Sequence, residues 1–110
     1  MTINEYQKLA MTTLNKELSN EQTLLNGCMG LCGESGEVID LLKKHLSQGH
    51  DLNKKKMIEE IGDVAWYIAE IAYALNVDLE TVLTRNIEKL KKRYPEGFSV
   101  ERSLNRENEK

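Results

Sequence analysis

The chain contains few aromatic residues and almost no proline. Its 110 residues include one proline, one tryptophan, one phenylalanine and four tyrosines. β-Sandwiches and barrels are built from many short strands that are rich in aromatic and β-branched residues and are separated by turn signals. The composition therefore argues against these folds and favours helices.

Long apolar runs and a strong charge of one sign are also missing. No apolar run approaches the roughly 20 residues that a membrane-spanning helix needs, and no secretory signal peptide is recognisable. The net charge of −3 gives no electrostatic reason to expect binding to a nucleic acid polymer or an acidic membrane. The two cysteines, Cys28 and Cys32, lie four apart on a predicted helix, which disfavours a disulfide. We expect free, buried thiols and a cytoplasmic protein.

Apolar residues recur at helical spacing in four segments, which are joined by short loops. This pattern predicts an all-α fold, an antiparallel four-helix bundle, in a single domain over residues 1–98. A polar tail follows over residues 99–110, and we expect it to wrap the surface or fray. The predicted helices run from a capping box at Thr2 and Glu5 to about Leu18, from Ser19 or Asn20 to near Gly49, from Asp51 or Asn53 to about Leu75, and from Asp78 to a point before Pro95.

The second and third predicted helices carry most of the apolar residues. On the second helix they form a broad stripe that we expect to face the core and that includes Leu25, Cys32, Ile39 and Leu46. The third helix is apolar on nearly all sides, which predicts a buried helix. One small bundle cannot cover so many apolar sides, so we expect a homo-oligomer, either a dimer or a tetramer.

Two pairs of acids border or interrupt these apolar surfaces. Glu34 and Glu37 lie three residues apart on the second helix, and Glu60 and Asp63 lie three apart on the third. Residues at this spacing share one helix face. Four carboxylates that meet in a low dielectric cannot all stay ionised without cations. The pattern predicts a site for Mg²⁺, which Mn²⁺ can replace, although each pair alone also fits an ordinary solvated face.

Glycine recurs every third residue in the second helix, at Gly27, Gly30, Gly33 and Gly36. Each interior glycine costs roughly 0.5–1 kcal/mol relative to alanine. The glycines either leave room for metal ions and a bulky anion or allow another helix to approach closely. We expect Gly30 and Gly33 to provide space for the site, and both alternatives stay open for Gly27 and Gly36.

Three segments, GLCGESGEVIDLLKK, EEIGDVAWYIA and RNIEKLKKRYPEGF, together resemble the MazG-like all-α nucleoside triphosphate pyrophosphohydrolases. The family pattern E-x-x-E followed by E-x-x-D falls on the two acid pairs, and the resemblance extends from about Asn4 to Phe98. It implies that the four acids bind Mg²⁺ and that nucleoside triphosphates are hydrolysed to the monophosphate and pyrophosphate. It also implies nucleotide or phosphate contacts by Asn86, Lys89 and Arg93.

The chemistry of the acids is compatible with this reaction. Glu34 or Glu37 could orient the attacking water as general base. Lys89 and Arg93 share a helical face and could reach phosphates, although a basic helix end also complements the helix dipole. A role in nucleotide-pool house-cleaning follows from the resemblance alone.

Two alternatives remain. The chain could be a non-catalytic helical module that binds a structural metal ion or a partner. It could also be a carboxylate-bridged redox metalloprotein, but neither acid pair has a histidine at the offset that di-iron bundles use.

Overall fold

The computed structural model describes residues 1–106, and every regular element in that range is helical. This confirms the predicted all-α class. The elements are α1 (Ile3–Ala10), a 3₁₀ turn (Met11–Thr13), α2 (Asn20–Ser47), α3 (Lys54–Ala74), α4 (Leu79–Arg93) and α5 (Val100–Leu104). Of the helices in the described range, none combines the length and apolarity required to cross a membrane.

Side-chain caps determine where α2 and α3 begin. Ser19 Oγ accepts a hydrogen bond from the Gln22 N–H at 3.1 Å, and Gln22 Oε1 accepts one from the Ser19 N–H at 2.9 Å. Asn53 Oδ1 accepts the N–H of Lys56 at 3.0 Å. These bonds satisfy backbone donors that the first helical turn leaves free. Of the predicted candidates, Ser19 and Asn53 are therefore the N-caps.

The first helix is shorter than predicted. It ends at Ala10 and passes into the 3₁₀ turn, instead of continuing to about Leu18. The hydroxyls of Thr12 and Thr13 donate hydrogen bonds of 2.6 and 2.9 Å to carbonyls three residues earlier. Such bonds compete with a regular helix. The extended backbone at Leu14 then carries this residue into the core.

Helices α2 and α3 form an antiparallel pair. Positions later on α2 face positions earlier on α3, because Gly27 lies beside Ile71 while Glu34 lies beside Glu60. Helix α1 and the 3₁₀ turn pack against α3. The small core consists of Met11, Leu14, Ala69 and Leu79, with Tyr6, Ala10, Trp66 and Ile68 packed against them.

A buried glutamine joins α1 to the segment that follows α3. Gln7 Nε2 donates to the carbonyl oxygens of Ala69 at 3.4 Å and Val77 at 3.2 Å. Gln7 Oε1 accepts the N–H of Leu79 at 2.8 Å. All polar atoms of this side chain are therefore paired with backbone groups, as burial requires.

The chain divides into an N-terminal unit, Met1–Leu79, and a C-terminal unit, Glu80–Lys110. In the C-terminal unit, the rings of Tyr94 and Phe98 lie 5.4 Å apart, and Arg106 donates to the Tyr94 hydroxyl at 3.2 Å. Ser99 caps α5, so the predicted polar tail includes a short helix. The last part of that tail, residues 107–110, lies outside the described residues.

The expected burial of the α2 stripe and of the two cysteines is wrong, whereas exposed apolar residues on α3 agree with the expectation that one chain cannot cover this helix. Leu25 and Ile39 of α2 are 57% and 59% exposed, and Ile58 of α3 is 60% exposed. Cys28 and Cys32 are free, as predicted, but they are exposed. Helical periodicity shows that apolar residues share a face, but it cannot show whether the same chain covers that face.

Candidate metal centre

Three of the four predicted acids lie together between α2 and α3. Glu34, Glu37 and Glu60 each offer a carboxylate oxygen, and these oxygens lie within 4.8 Å of one another. The spacing of three residues places Glu34 and Glu37 on one face of α2. The antiparallel packing of the two helices brings Glu60 opposite both.

The cluster includes buried carboxylate oxygens that no donor approaches. Glu60 is only 5% exposed. Among the described residues, Oε2 of Glu34 and Oε2 of Glu60 are buried and lack a hydrogen-bond donor. Buried acceptors without donors are costly, and a hard divalent cation bound by oxygen ligands would satisfy them. The donor set therefore fits Mg²⁺ or Mn²⁺.

Without a cation, the crowding of the carboxylates favours the protonated forms of Glu34 and Glu37. Hydrogen bonding to Glu60 is the main cause that raises the pKa of Glu34 from 4.5 to about 7, and lost hydration and the neighbouring acids add to it. Hydrogen bonding to Glu60 also raises the pKa of Glu37. The same hydrogen bonds, together with one from Lys56, lower the pKa of Glu60. Of the three clustered acids, Glu60 therefore stays ionised most readily.

Lys56 contacts the cluster, although it was not among the predicted site residues. Its Nζ lies 3.2 Å from Oε1 of Glu60, one turn along α3. The spacing of four residues between Lys56 and Glu60 was the available signal. Lys56 contacts Oε1 of Glu60, whereas the buried Oε2 of Glu60 has no hydrogen-bond partner in the described part of the chain.

Asp63, the fourth predicted ligand, borders the cluster. It is exposed, and its oxygens lie outside the group of three. Its charge nevertheless contributes to the raised pKa of both Glu34 and Glu37. Asp63 therefore lies close enough to act on the site electrostatically.

A cavity of about 400 Å³ opens beside Glu34 and Asp63. Its remaining walls are Thr13, Trp66 and Tyr67. The two aromatic rings meet edge to face, with centroids 5.1 Å apart. Trp66 Nε1 donates to Thr13 Oγ1 at 3.0 Å, and also to the carbonyl of Ala10, so it connects the 3₁₀ turn to α3. The sequence did not reveal Thr13, because its partner is distant in the chain.

The glycines of α2 serve different purposes. A Cβ at Gly27 would lie 2.8 Å from Cγ1 of Ile71, so this glycine permits close helix packing. A Cβ at Gly30 would overlap the ring of Tyr67, so the predicted space for metal ions or an anion is instead filled by a side chain. Gly33 and Gly36 face open space.

The predicted phosphate-binding residues lie in the C-terminal unit. Asn86, Lys89 and Arg93 follow one another on α4 at spacings of three and four residues, which places them on one helical face. The contact of these residues with the substrate stays a prediction.

Two comparisons with known proteins identify relatives. A family model described as MazG nucleotide pyrophosphohydrolase domain matches residues 22–98, which include both acid pairs and α4. The chain is 41% identical over 73 residues to the Gene 37 protein of Mycobacterium phage L5, which covers 63% of this chain and 64% of that protein. No solved structure matches the chain. Because the family model matches well over half of the sequence, the chain belongs to the MazG nucleotide pyrophosphohydrolase family.

Proposed function

We propose that the protein hydrolyses ribo- or deoxyribonucleoside triphosphates to the monophosphate and pyrophosphate in a Mg²⁺-dependent reaction. The observation that carries this proposal is the group of three carboxylates from two helices, two of which have buried oxygens without donors. Family membership supports the reaction class. Removal of non-standard or excess nucleotides is the cellular role that we infer.

The positions of the four acids suit them to two roles, metal binding and activation of the attacking water. Glu34, Glu37, Glu60 and Asp63 would hold the metal, and a bound Mg²⁺ would supply positive charge that neutralises the triphosphate. Glu37 is the exposed member of the clustered three, so it can orient an attacking water and accept its proton. Glu34, which borders the cavity, is the alternative base.

Binding of the nucleotide requires further residues besides the four acids. The cavity beside Glu34 and Asp63 has a volume within the usual range of small-molecule sites, and it offers aromatic walls to a nucleoside. Lys89 and Arg93 would bind phosphate oxygens through charge-assisted hydrogen bonds, and Asn86 would contact the nucleotide.

We also propose that the protein assembles as a homo-oligomer, a dimer or a tetramer. Large apolar side chains lie exposed on both helices of the antiparallel pair. They include Leu25, Ile39 and Leu46 on α2, and Ile58 and Ile61 on α3. Exposed apolar surfaces of this kind are typical of interfaces.

A pyrophosphate-release assay tests the proposed reaction. The purified protein would be incubated with each ribo- and deoxyribonucleoside triphosphate, with Mg²⁺ or with EDTA. We expect equal amounts of monophosphate and pyrophosphate, formed only with the metal ion. A protein that binds Mg²⁺ but releases no pyrophosphate from any of these nucleotides would favour the alternative, a non-catalytic metal-binding or interaction module.

A further inference from the structure

A fully buried acid lies between α2 and α3, well away from the metal centre. Glu70 of α3 is 0% exposed. Its Oε1 and Oε2 accept hydrogen bonds from Asn26 Nδ2 of α2 at 3.1 and 3.0 Å. Among residues 1–106, no lysine, arginine or histidine forms an ion pair with this carboxylate. Seven residues separate Glu70 from Asp63, or roughly 10 Å along the helix.

Because a buried carboxylate without a donor is costly, the Asn26–Glu70 pair favours one alignment of α2 against α3. An interior carboxylate is strongly destabilising unless a donor satisfies it. Asn26 is the donor in this arrangement, and its amide reaches both oxygens of Glu70. If α3 moved along α2 by one turn, Glu70 would lose this donor while staying inside the helix interface.

The rest of the α2 surface discriminates poorly between such alignments. Gly27 and Gly30, three residues apart, have no side chain and so leave shallow positions on the surface of α2. Ile71 of α3 packs at Gly27, and Tyr67 of α3 packs at Gly30. Repeated shallow positions would accept these side chains at neighbouring turns as well. A single buried polar residue can fix the register of packed helices in such cases.

We propose that the Asn26–Glu70 pair fixes the register of α2 against α3 and thereby positions Glu34 and Glu37 opposite Glu60. The two residues are positioning residues, because they lie about two helical turns from the nearest acid of the cluster. The metal-binding part of the inference rests on the proposed function, whereas the register itself does not.

Four variants of the full-length protein test this inference. Glu70→Leu removes the acceptor, whereas Glu70→Gln keeps an oxygen that can accept from Asn26. Asn26→Asp places two carboxylates against each other. The double variant Asn26→Asp/Glu70→Gln restores one donor and one acceptor with their roles exchanged, at the wild-type net charge.

Two measurements are made on each variant. Isothermal titration with Mn²⁺ reports the metal affinity. Nuclear Overhauser contacts between the Gly30 Hα protons and the Tyr67 ring report the register without any metal. We expect Glu70→Leu and Asn26→Asp to lose about 10–100-fold in Mn²⁺ affinity, the usual effect of removing a group that supports metal ligands. They should also lose the Gly30–Tyr67 contacts. Glu70→Gln and the double variant should retain both properties.

The outcomes separate the inference from the proposed function. If Glu70→Leu keeps the Gly30–Tyr67 contacts and the Mn²⁺ affinity, the register inference is overturned. If Glu70→Leu does not fold, the register inference is tested by comparing Asn26→Asp with the double variant. A folded double variant that lacks the Gly30–Tyr67 contacts also overturns the register inference. If the wild-type protein binds no Mn²⁺, the proposed function fails, and the Gly30–Tyr67 contacts still decide the register.

Discussion

Glu60 lies where charged side chains of α2 and α3 meet. It is almost fully buried, and Glu34, Glu37 and Lys56 all approach its carboxylate. No other acid of the described residues combines this burial with this number of acidic neighbours. Its charge therefore determines how the whole cluster responds to protons and to metal ions.

We expect Glu60→Gln to abolish metal binding and pyrophosphate release while the helices remain folded. Glutamine has the same shape, but it lacks the negative charge that attracts a divalent ion. The loss in Mn²⁺ affinity should be at least the roughly 10–100-fold that follows removal of a group supporting a metal ligand. Titration calorimetry measures the affinity, and circular dichroism measures the fold. Glu59→Gln, an exposed neighbour on α3, is the matched control. Wild-type affinity in Glu60→Gln would remove Glu60 from the site.

The stability of the metal-free protein should fall as pH rises from 4.5 to about 7. Between these values the folded protein keeps the proton on Glu34, whose pKa is raised, whereas the unfolded chain releases it. Stability falls with pH wherever the folded state binds more protons. The raised pKa of Glu37 acts in the same direction, and the lowered pKa of Glu60 acts below 4.5.

Urea unfolding in EDTA at several pH values measures this dependence. Excess Mg²⁺ should flatten the curve, because the ion replaces the bound protons. Glu34→Gln should weaken the dependence without added metal. A wild-type curve that rises over the same pH range would contradict the assignment.

At the scale of the helix, the glycines of α2 allow a paired prediction. Gly30→Ala should destabilise the protein by about 1–3 kcal/mol, because the new methyl group overlaps the Tyr67 ring and overpacks the interface. Gly36→Ala should stabilise it by about 0.5–1 kcal/mol, because this position faces open space within a helix. Thermal unfolding of both variants gives the comparison. Equal effects of the two substitutions would show that packing of the Tyr67 ring does not require a glycine at position 30.

Local signals in the sequence were enough to predict the helix starts and the pairing of the acids. The caps Ser19 and Asn53 act within three residues, and Glu34 with Glu37 share a face through helical spacing alone. The early end of α1 involves the local hydroxyl bonds of Thr12 and Thr13, but the turn into the core also depends on burial of Leu14, which local spacing does not show. The use of Gly30 also depends on a partner from another helix.

In the metal centre, too, local spacing predicted some features, whereas others depend on contacts between helices. Helical spacing grouped each acid pair, but only the packing of α2 on α3 shows that Glu60 lies inside the cluster while Asp63 borders it. The Asn26–Glu70 hydrogen bonds connect residues 44 positions apart. Spacing along one helix contains no information on such a contact.

At the scale of the whole molecule, the exposed apolar side chains predict self-association. Leu25, Cys32, Ile39 and Leu46 recur every seven residues on α2 and are all exposed. This repeat is typical of a surface that packs against another helix. Sedimentation equilibrium should give the mass of a dimer or a tetramer of the 12.6 kDa chain.

Ile39→Asp should shift the equilibrium toward the single chain, because it places a charge in the apolar row. His50→Asp, in the exposed loop after α2, is the control and should leave the mass unchanged. A wild-type protein that sediments as one chain and still hydrolyses nucleotides would contradict the oligomer.

The bonds made by Gln7 have a consequence for the order of folding. Its partners Ala69, Val77 and Leu79 are synthesised 62 to 72 residues later, whereas α2 and α3 are neighbours in the chain. Contacts over long sequence separations form late, because closing the loop costs entropy first. We expect α1 to stay undocked during synthesis until α3 is complete. Gln7→Ala should therefore accelerate unfolding and barely change the folding rate, a φ-value near zero in stopped-flow experiments. A φ-value near one would instead mean that the first helix helps to nucleate the fold.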